Sequence, residues 1–133
     1  AHYLNVEEKP ENYPHHTGFV DWLYHKEYLA KRRHPYFKDL PKGIMDWEYW
    51  IYMINGADFR FGAVPDEIAS ASFGPGNINE RGYEGGFNIG SYRMGKGALI
   101  LNSYNLVENI GLNPAADRLF LNIMNEENRR LSE

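Results

Sequence analysis

Apolar and polar positions change period several times along this chain, and each change marks an expected element. Residues 1–16 are polar, carry Pro10 and Pro14 and show no period, which predicts an extended arm. Over residues 17–33, Phe19, Leu23 and Ala30, with Trp22 and Leu29 alongside, predict a helix. Pro35 should end it, because proline disfavours helix at the residue before it. Phe37 and Leu40 in the following loop are expected to plug into the core. The aromatic-rich stretch 44–54 keeps neither period 2 nor period 3.6, so a buried strand and a short helix both fit. After the Asn55-Gly56 turn signal, residues 59–64 read as a strand with Phe59, Phe61 and Ala63 on one face, and residues 68–73 as another.

A glycine-, asparagine- and proline-rich loop is expected over 74–86. Beyond it the pattern is clearest: strand 86–92, a turn over 93–97, strand 98–102. Gly95 and Gly97 permit the positive φ that a tight hairpin needs. The continuous apolar run of Ala98, Leu99, Ile100 and Leu101 predicts a strand covered on both faces. A short helix over 104–110 should stop at Gly111. The last helix should start at an Asn113 N-cap with Pro114 in its first position. Ala116, Leu119, Phe120, Ile123 and Met124 then line its inner face, and Glu126 and Arg130 pair one turn apart. The expectation is an extended arm over 1–16 and a single α/β domain over 17–133.

Composition narrows the function classes. A chain of 133 residues holds one core, and its 15% aromatic content promises rings in that core, on the surface, or both. A net charge of −4 argues against nucleic acid as a partner. The basic cluster Lys31, Arg32 and Arg33 is expected at a helix C-terminus, where it favours the dipole. The absence of Cys removes thiolate catalysis, disulfides and sulfur-ligated metals, and fits cytosol, periplasm and external medium alike. No apolar run approaches the roughly 20 residues that span a bilayer, so a soluble chain without a membrane partner is expected. The start at Ala1 suggests a processed or trimmed chain.

Candidate chemistry is sparse. Asp46 and Glu48, two apart, share a face about 7 Å apart if extended, a separation compatible with glycoside hydrolysis; a solvated edge is the plainer reading. Trp22, Trp47, Tyr49 and Trp50 offer ring faces to a sugar, against the alternative of core packing. His25 and His34 are the candidate metal ligands, but their nine-residue spacing does not place them on one helical turn. His25-Lys26-Glu27 has the order of a His-x-Glu pair without the nucleophile that completes a triad. The glycines at 82, 85, 86, 90, 95 and 97 lack the strand–loop–helix order of a phosphate cradle. No cofactor is expected.

The run from Tyr92 through Arg93-Met94-Gly95-Lys96-Gly97 to Asn102, continued by Asn113-Pro114-Ala115-Ala116-Asp117-Arg118-Leu119 to Asn122, resembles the closing segment of class I glutamine-amidotransferase-like domains. The similarity is to the group related to the trehalose-utilisation protein and the β-galactosidase trimerisation domain. Asp21-Trp22, Tyr24-His25, His34-Pro35 and Met45-Asp46-Trp47-Glu48-Tyr49 are similar to the preceding part of such domains, at the tail of family-two-like glycoside hydrolases. The resemblance spans about residues 18–125. It implies part of a flavodoxin-like sheet with a C-terminal glycine hairpin and terminal helix, in a carbohydrate-active protein. The family's Cys nucleophile is missing, so a non-catalytic assembly or positioning role is implied. A half-sheet leaves an open edge, so self-association or a partner chain is expected to cover it. The alternatives are a small sugar-binding or glycoside-hydrolysing unit built on Asp46 and Glu48, and, last, a histidine-based metal enzyme.

Overall fold

The computed structural model describes residues 6–7, 27–45, 50, 52–54, 57–59, 62–75 and 83–133. Among the described residues seven strands form one sheet: β1 (Val6–Glu7), β2 (Glu27–Ala30), β3 (Gly43–Ile44), β4 (Asp58–Phe59), β5 (Glu67–Pro75), β6 (Tyr83–Met94) and β7 (Gly97–Asn102). Every described ladder is antiparallel. A helix, α1 (Pro114–Leu131), follows the sheet in the chain. The fold is thus a mixture of sheet and helix, with the expected glycine hairpin and terminal helix at its C-terminal end.

β6 organises the sheet. One edge pairs with β5 from Tyr83 to Ser91, with bulges beside Ser70. The other edge is shared, by β4 at Phe87 and by β7 from Ile89 to Met94. Asn88 sits at this fork, fully buried, and its Nδ2 donates both to the Ala57 carbonyl and to Ser103 Oγ, each at 3.0 Å. Its own carbonyl accepts from the Ser103 N–H at 2.8 Å. One side chain therefore ties together the two strands that divide an edge. Gly86 is held to glycine here, since a Cβ would lie 2.8 Å from the Phe59 carbonyl oxygen.

The β6–β7 turn has Gly95 at φ 60° and Lys96 outside the positive-φ region, the pattern of a type II′ hairpin with glycine in its first central position. β7 differs from the expectation for a strand covered on both faces. Its side chains are only half-buried, Leu99 is 40% exposed, and it pairs with β6 alone among the described residues. Its apolar run reflects an edge strand.

The helix expected over 17–33 is corrected where it is described, because residues 27–30 are strand. Tyr28 and Ala30 are buried and Leu29 less so, the period-2 pattern of a strand held between β5 and β3. Two flanking ladders outweigh the modest helix preference of Leu29 and Ala30. Lys31, Arg32 and Arg33 consequently lie exposed after a strand, not at a helix end. The strand expected over 59–64 is confined to Asp58–Phe59 in the described part, and Gly62 and Ala63 lie in a bend. The expected loop 74–86 is entered by strand from both sides, as β5 runs to Pro75 and β6 begins at Tyr83. The helix expected over 104–110 is a single 3-10 turn at Val107–Asn109, and Gly111 follows at φ 84°. Both readings of 44–54 find support: Gly43–Ile44 is strand, whereas Trp50 is helical and its carbonyl accepts from Met53 and Ile54.

The core lies where α1 and a 3-10 turn (Pro35–Phe37) meet the sheet. Trp50, Phe37, Met53, Ile89, Leu119 and Ala116 are its fully buried members. Phe37 and Trp50 meet edge to face with centroids 5.9 Å apart.

Candidate functional site: an ion-pair seam between the last helix and the sheet

α1 is well delimited. Asn113 Oδ1 accepts the Ala115 N–H at 2.9 Å, Pro114 opens the helix, and Asp117 Oδ1 accepts from the Gly111 N–H at 2.7 Å. Ala115, Ala116, Leu119 and Ile123 fill the core, and Phe120 packs against it. Met124, expected inside, is 53% exposed. After Ile123 the inward positions become charged: Glu126, Glu127 and Arg130 have side chains only 12%, 14% and 15% exposed.

The sheet supplies their counterparts. Arg93 of β6 donates to Glu67 Oε2 of β5 and to Glu127 Oε2 of α1, each at 3.2 Å. Arg130 reaches Glu67 at 2.8 Å and Glu127 at 3.0 Å, so each arginine touches both carboxylates in a closed ring. Glu126 accepts from Arg130 at 2.9 Å, the pairing expected from spacing, and also from Arg129. Tyr36 donates its hydroxyl to Glu127, and its ring lies under the Arg130 guanidinium at 5.9 Å. Asn122 donates to the carbonyls of Tyr36 and Lys38, which fixes the 3-10 turn to the helix.

His34 stands behind this ring. Its Nδ1 accepts from the Tyr36 N–H at 3.3 Å, so the neutral ring carries its proton on Nε2. That nitrogen lies 2.9 Å from Glu67 Oε1, off the line of a good hydrogen bond. Burial lowers His34 below its ordinary value, against the pull of Glu67. Burial works to raise Glu67, but Arg130 and then His34 and Arg93 hold it below the usual carboxylate range. Hydrogen bonds from Arg129 bring Glu126 down to about 2. Burial and the Glu127 bond push Tyr36 upward.

These shifts set the chemistry of the seam. Glu67 is held ionised chiefly by two guanidinium groups, burial disfavours the charged form of His34 behind it, and Tyr36 is held protonated. The paired charges tie α1 to β5 and β6, and Glu67, Arg93, Glu127 and Arg130 also line a cleft of about 390 Å³ on the outer side of the seam.

A pH dependence follows. His34 has a lower pKa folded than its ordinary 6.5, so below that pH the unfolded chain gains a proton that the folded chain resists. Glu67 and Glu126 are depressed from 4.5, so their stabilisation is present above that value and lost as pH falls below it, in the case of Glu126 towards about 2. Urea midpoints are therefore expected to hold above pH 7 and to fall in two stages on acidification. His34→Asn, which keeps an acceptor for the Tyr36 N–H, should remove the first stage. A midpoint unchanged between pH 7.5 and 5.5 in the parent chain would refute this account.

A second polar group lies within the core. Ser70 Oγ and the Tyr104 hydroxyl share a 2.6 Å hydrogen bond, and Ser72 Oγ donates to the buried Asp58 at 3.1 Å. Burial pushes the Tyr104 phenol upward. Ser70, Ser72 and Asp58 are at most 1% exposed, which closes them to any substrate.

Of the candidate catalytic, sugar-binding and metal residues, Glu27, His34 and Trp50 are described, and Glu27 opens β2. Trp50 is 0% exposed and belongs to the core, so its ring is corrected from a sugar-facing platform to a packing element. His34 caps a 3-10 turn through Nδ1, and His25, named with it as a candidate metal ligand, lies outside the described residues, as do Trp22, Asp46, Trp47, Glu48 and Tyr49. Among the described residues no group of three or more His, Cys, Asp or Glu could hold a metal, and no helix is long and apolar enough to cross a membrane.

Sequence reading found the Glu126–Arg130 pair but missed Glu67, Arg93 and Glu127. A signal for half of the seam was present, because the inward positions of α1 turn from apolar to charged after Ile123. Its partners on β5 and β6 are distant in the chain and carry no local mark. No protein-family model, no curated protein and no solved structure matches this chain.

Proposed function

We propose that this chain is a non-catalytic assembly domain that pairs with a second copy of itself along the open edge of β7. That edge carries the reading: β7 meets β6 on one side and no strand on the other among the described residues. Edge strands are normally guarded by charge, proline or a bulge, and Gly97–Asn102 has none of them. In a two-residue hairpin Gly97 bonds back to Met94, so the N–H and C=O groups of Ala98, Ile100 and Asn102 point outward. An antiparallel copy of the same strand satisfies these groups with no like charges opposed, in a two-fold contact. The seam supports this role by holding α1 rigidly on the sheet that would be extended.

The setting in a carbohydrate-active protein rests on the resemblance of residues 92–102 and 113–122 to amidotransferase-like domains. The order of hairpin, strand and terminal helix supports it. A flavodoxin-like sheet is largely parallel, and the antiparallel ladders weigh against carrying that part of the resemblance over.

Sedimentation velocity across a dilution series tests the reading. The parent chain is expected to pass from dimer to monomer, and Leu99→Lys, which sets two ammonium groups near the two-fold axis, should weaken the dimer by roughly tenfold or more. A chain that stays monomeric at every concentration would refute self-assembly.

A further inference from the structure

From Leu121 onward α1 carries charge on its inner face and apolar side chains on its outer one, beside the exposed Arg129. Its charged residues Glu126, Glu127 and Arg130 are turned to the sheet, while Leu121, Met124 and Leu131 are 52%, 53% and 63% exposed. These three, spaced three and seven residues apart, form one outer stripe, and the neighbouring Asn125 and Asn128 add no charge to it. A surface helix normally shows the opposite arrangement.

Leu121 lies on the outermost line of the helix, and the Met124–Leu131 part of the stripe lies on its β7 side. Glu127, on the flank shared with Met124 and Leu131, bonds to Arg93 of β6. Leu131 borders the cleft of about 390 Å³ that is lined by seam residues including Glu67, Arg93 and Arg130 and reaches the turn Gly95-Lys96-Gly97. The opposite flank is occupied, because Asn122 is bonded to Tyr36 and Lys38. The Met124–Leu131 part of the stripe and the open strand edge therefore face the same way.

We infer that a second copy of this chain seats on both at once, β7 against β7 antiparallel, with the Met124–Leu131 part of each copy's stripe packed over the joined edge. This rests on the self-assembly reading above and adds the second layer of the interface. Area requires such a layer. A six-residue strand is only about 20 Å long, and edge pairing of that length falls short of the roughly 1,000 Å² that a specific interface needs. The two-fold axis places each stripe above the strand that the partner contributes, so a floor missing beneath the stripe in one copy is supplied by the other.

The absence of Cys makes the test clean. Leu99→Cys is the single thiol in its chain, and the outward bonding of Ala98 and Ile100 places residue 99 opposite itself, or one position off, across the axis. Under mild oxidation it is expected to form a disulfide-linked dimer. Met124→Glu with Leu131→Glu changes only exposed positions, so the monomer should keep its circular dichroism and melting midpoint. It should nevertheless weaken association by roughly tenfold or more in sedimentation. Cross-linking through residue 99 with association unaffected by the double substitution would overturn the helix layer and leave the edge pairing standing. Loss of association on the double substitution without cross-linking at 99 would overturn the antiparallel edge, and the two-layer interface with it. Neither effect would refute both.

Discussion

Trp50→Ala is expected to destabilise the fold by about 3–5 kcal/mol, the usual cost of deleting a large buried ring. Trp50 is fully enclosed, meets Phe37 edge to face, and its carbonyl organises the turn that carries Met53 into the core. In a domain of this size that cost lowers the melting midpoint by roughly 10–20 °C. Trp50→Phe should cost much less. The indole N–H is buried without a hydrogen-bond partner, so exchanging it for a ring with no donor removes a liability along with some volume. Calorimetry of the two variants separates packing from hydrogen bonding. A small loss for Trp50→Ala would show that the ring is not the core element described. Trp50 emission should also ignore saccharides, so any sugar-dependent change must come from Trp22 or Trp47.

The second large effect is expected at the sheet fork. Asn88→Ala removes both hydrogen bonds that tie Ala57 and Ser103 together. Each hydrogen bond lost costs a net of about 0.5–1.5 kcal/mol, so a total of about 1–3 kcal/mol is expected. Asn88→Asp keeps the shape but replaces the donating amide by a carboxylate facing two oxygens, and it should be at least as damaging near neutral pH. Denaturant midpoints for the two variants check this. If Asn88→Asp matched the parent chain, the donor role assigned to Nδ2 would be wrong.

What could be read in the sequence was local. Gly95 and the apolar run after it announced the hairpin, and Asn113-Pro114 announced α1, because turn and cap chemistry reside in a few adjacent residues. Residues 27–30 were misread since their strand character is imposed by β3 and β5. Neither lies within helical reach of them, and the intervening partners leave no trace in a window around Leu29. The run Ala98–Leu101 was misread as buried for the converse reason, since a bare edge and a sandwiched strand can share a sequence. The seam was half legible for the same cause: Glu126 and Arg130 are neighbours in the chain, whereas Glu67 and Arg93 meet them only after the sheet has formed.

The shared edge of β6 also bears on how the molecule opens. Over Ile89–Ser91 the strand is flanked by β5 and β7, and β7 is joined to α1 through the 3-10 turn at Val107–Asn109, whereas β4 holds it at Phe87 alone. Native-state hydrogen exchange should accordingly resolve two units, with amides of β1 and β4 exchanging through a local opening of low free energy. Those of β6 flanked on both sides should wait for global unfolding. The last third of the chain would then be the most persistent part of the fold, and the part least exposed to proteolysis.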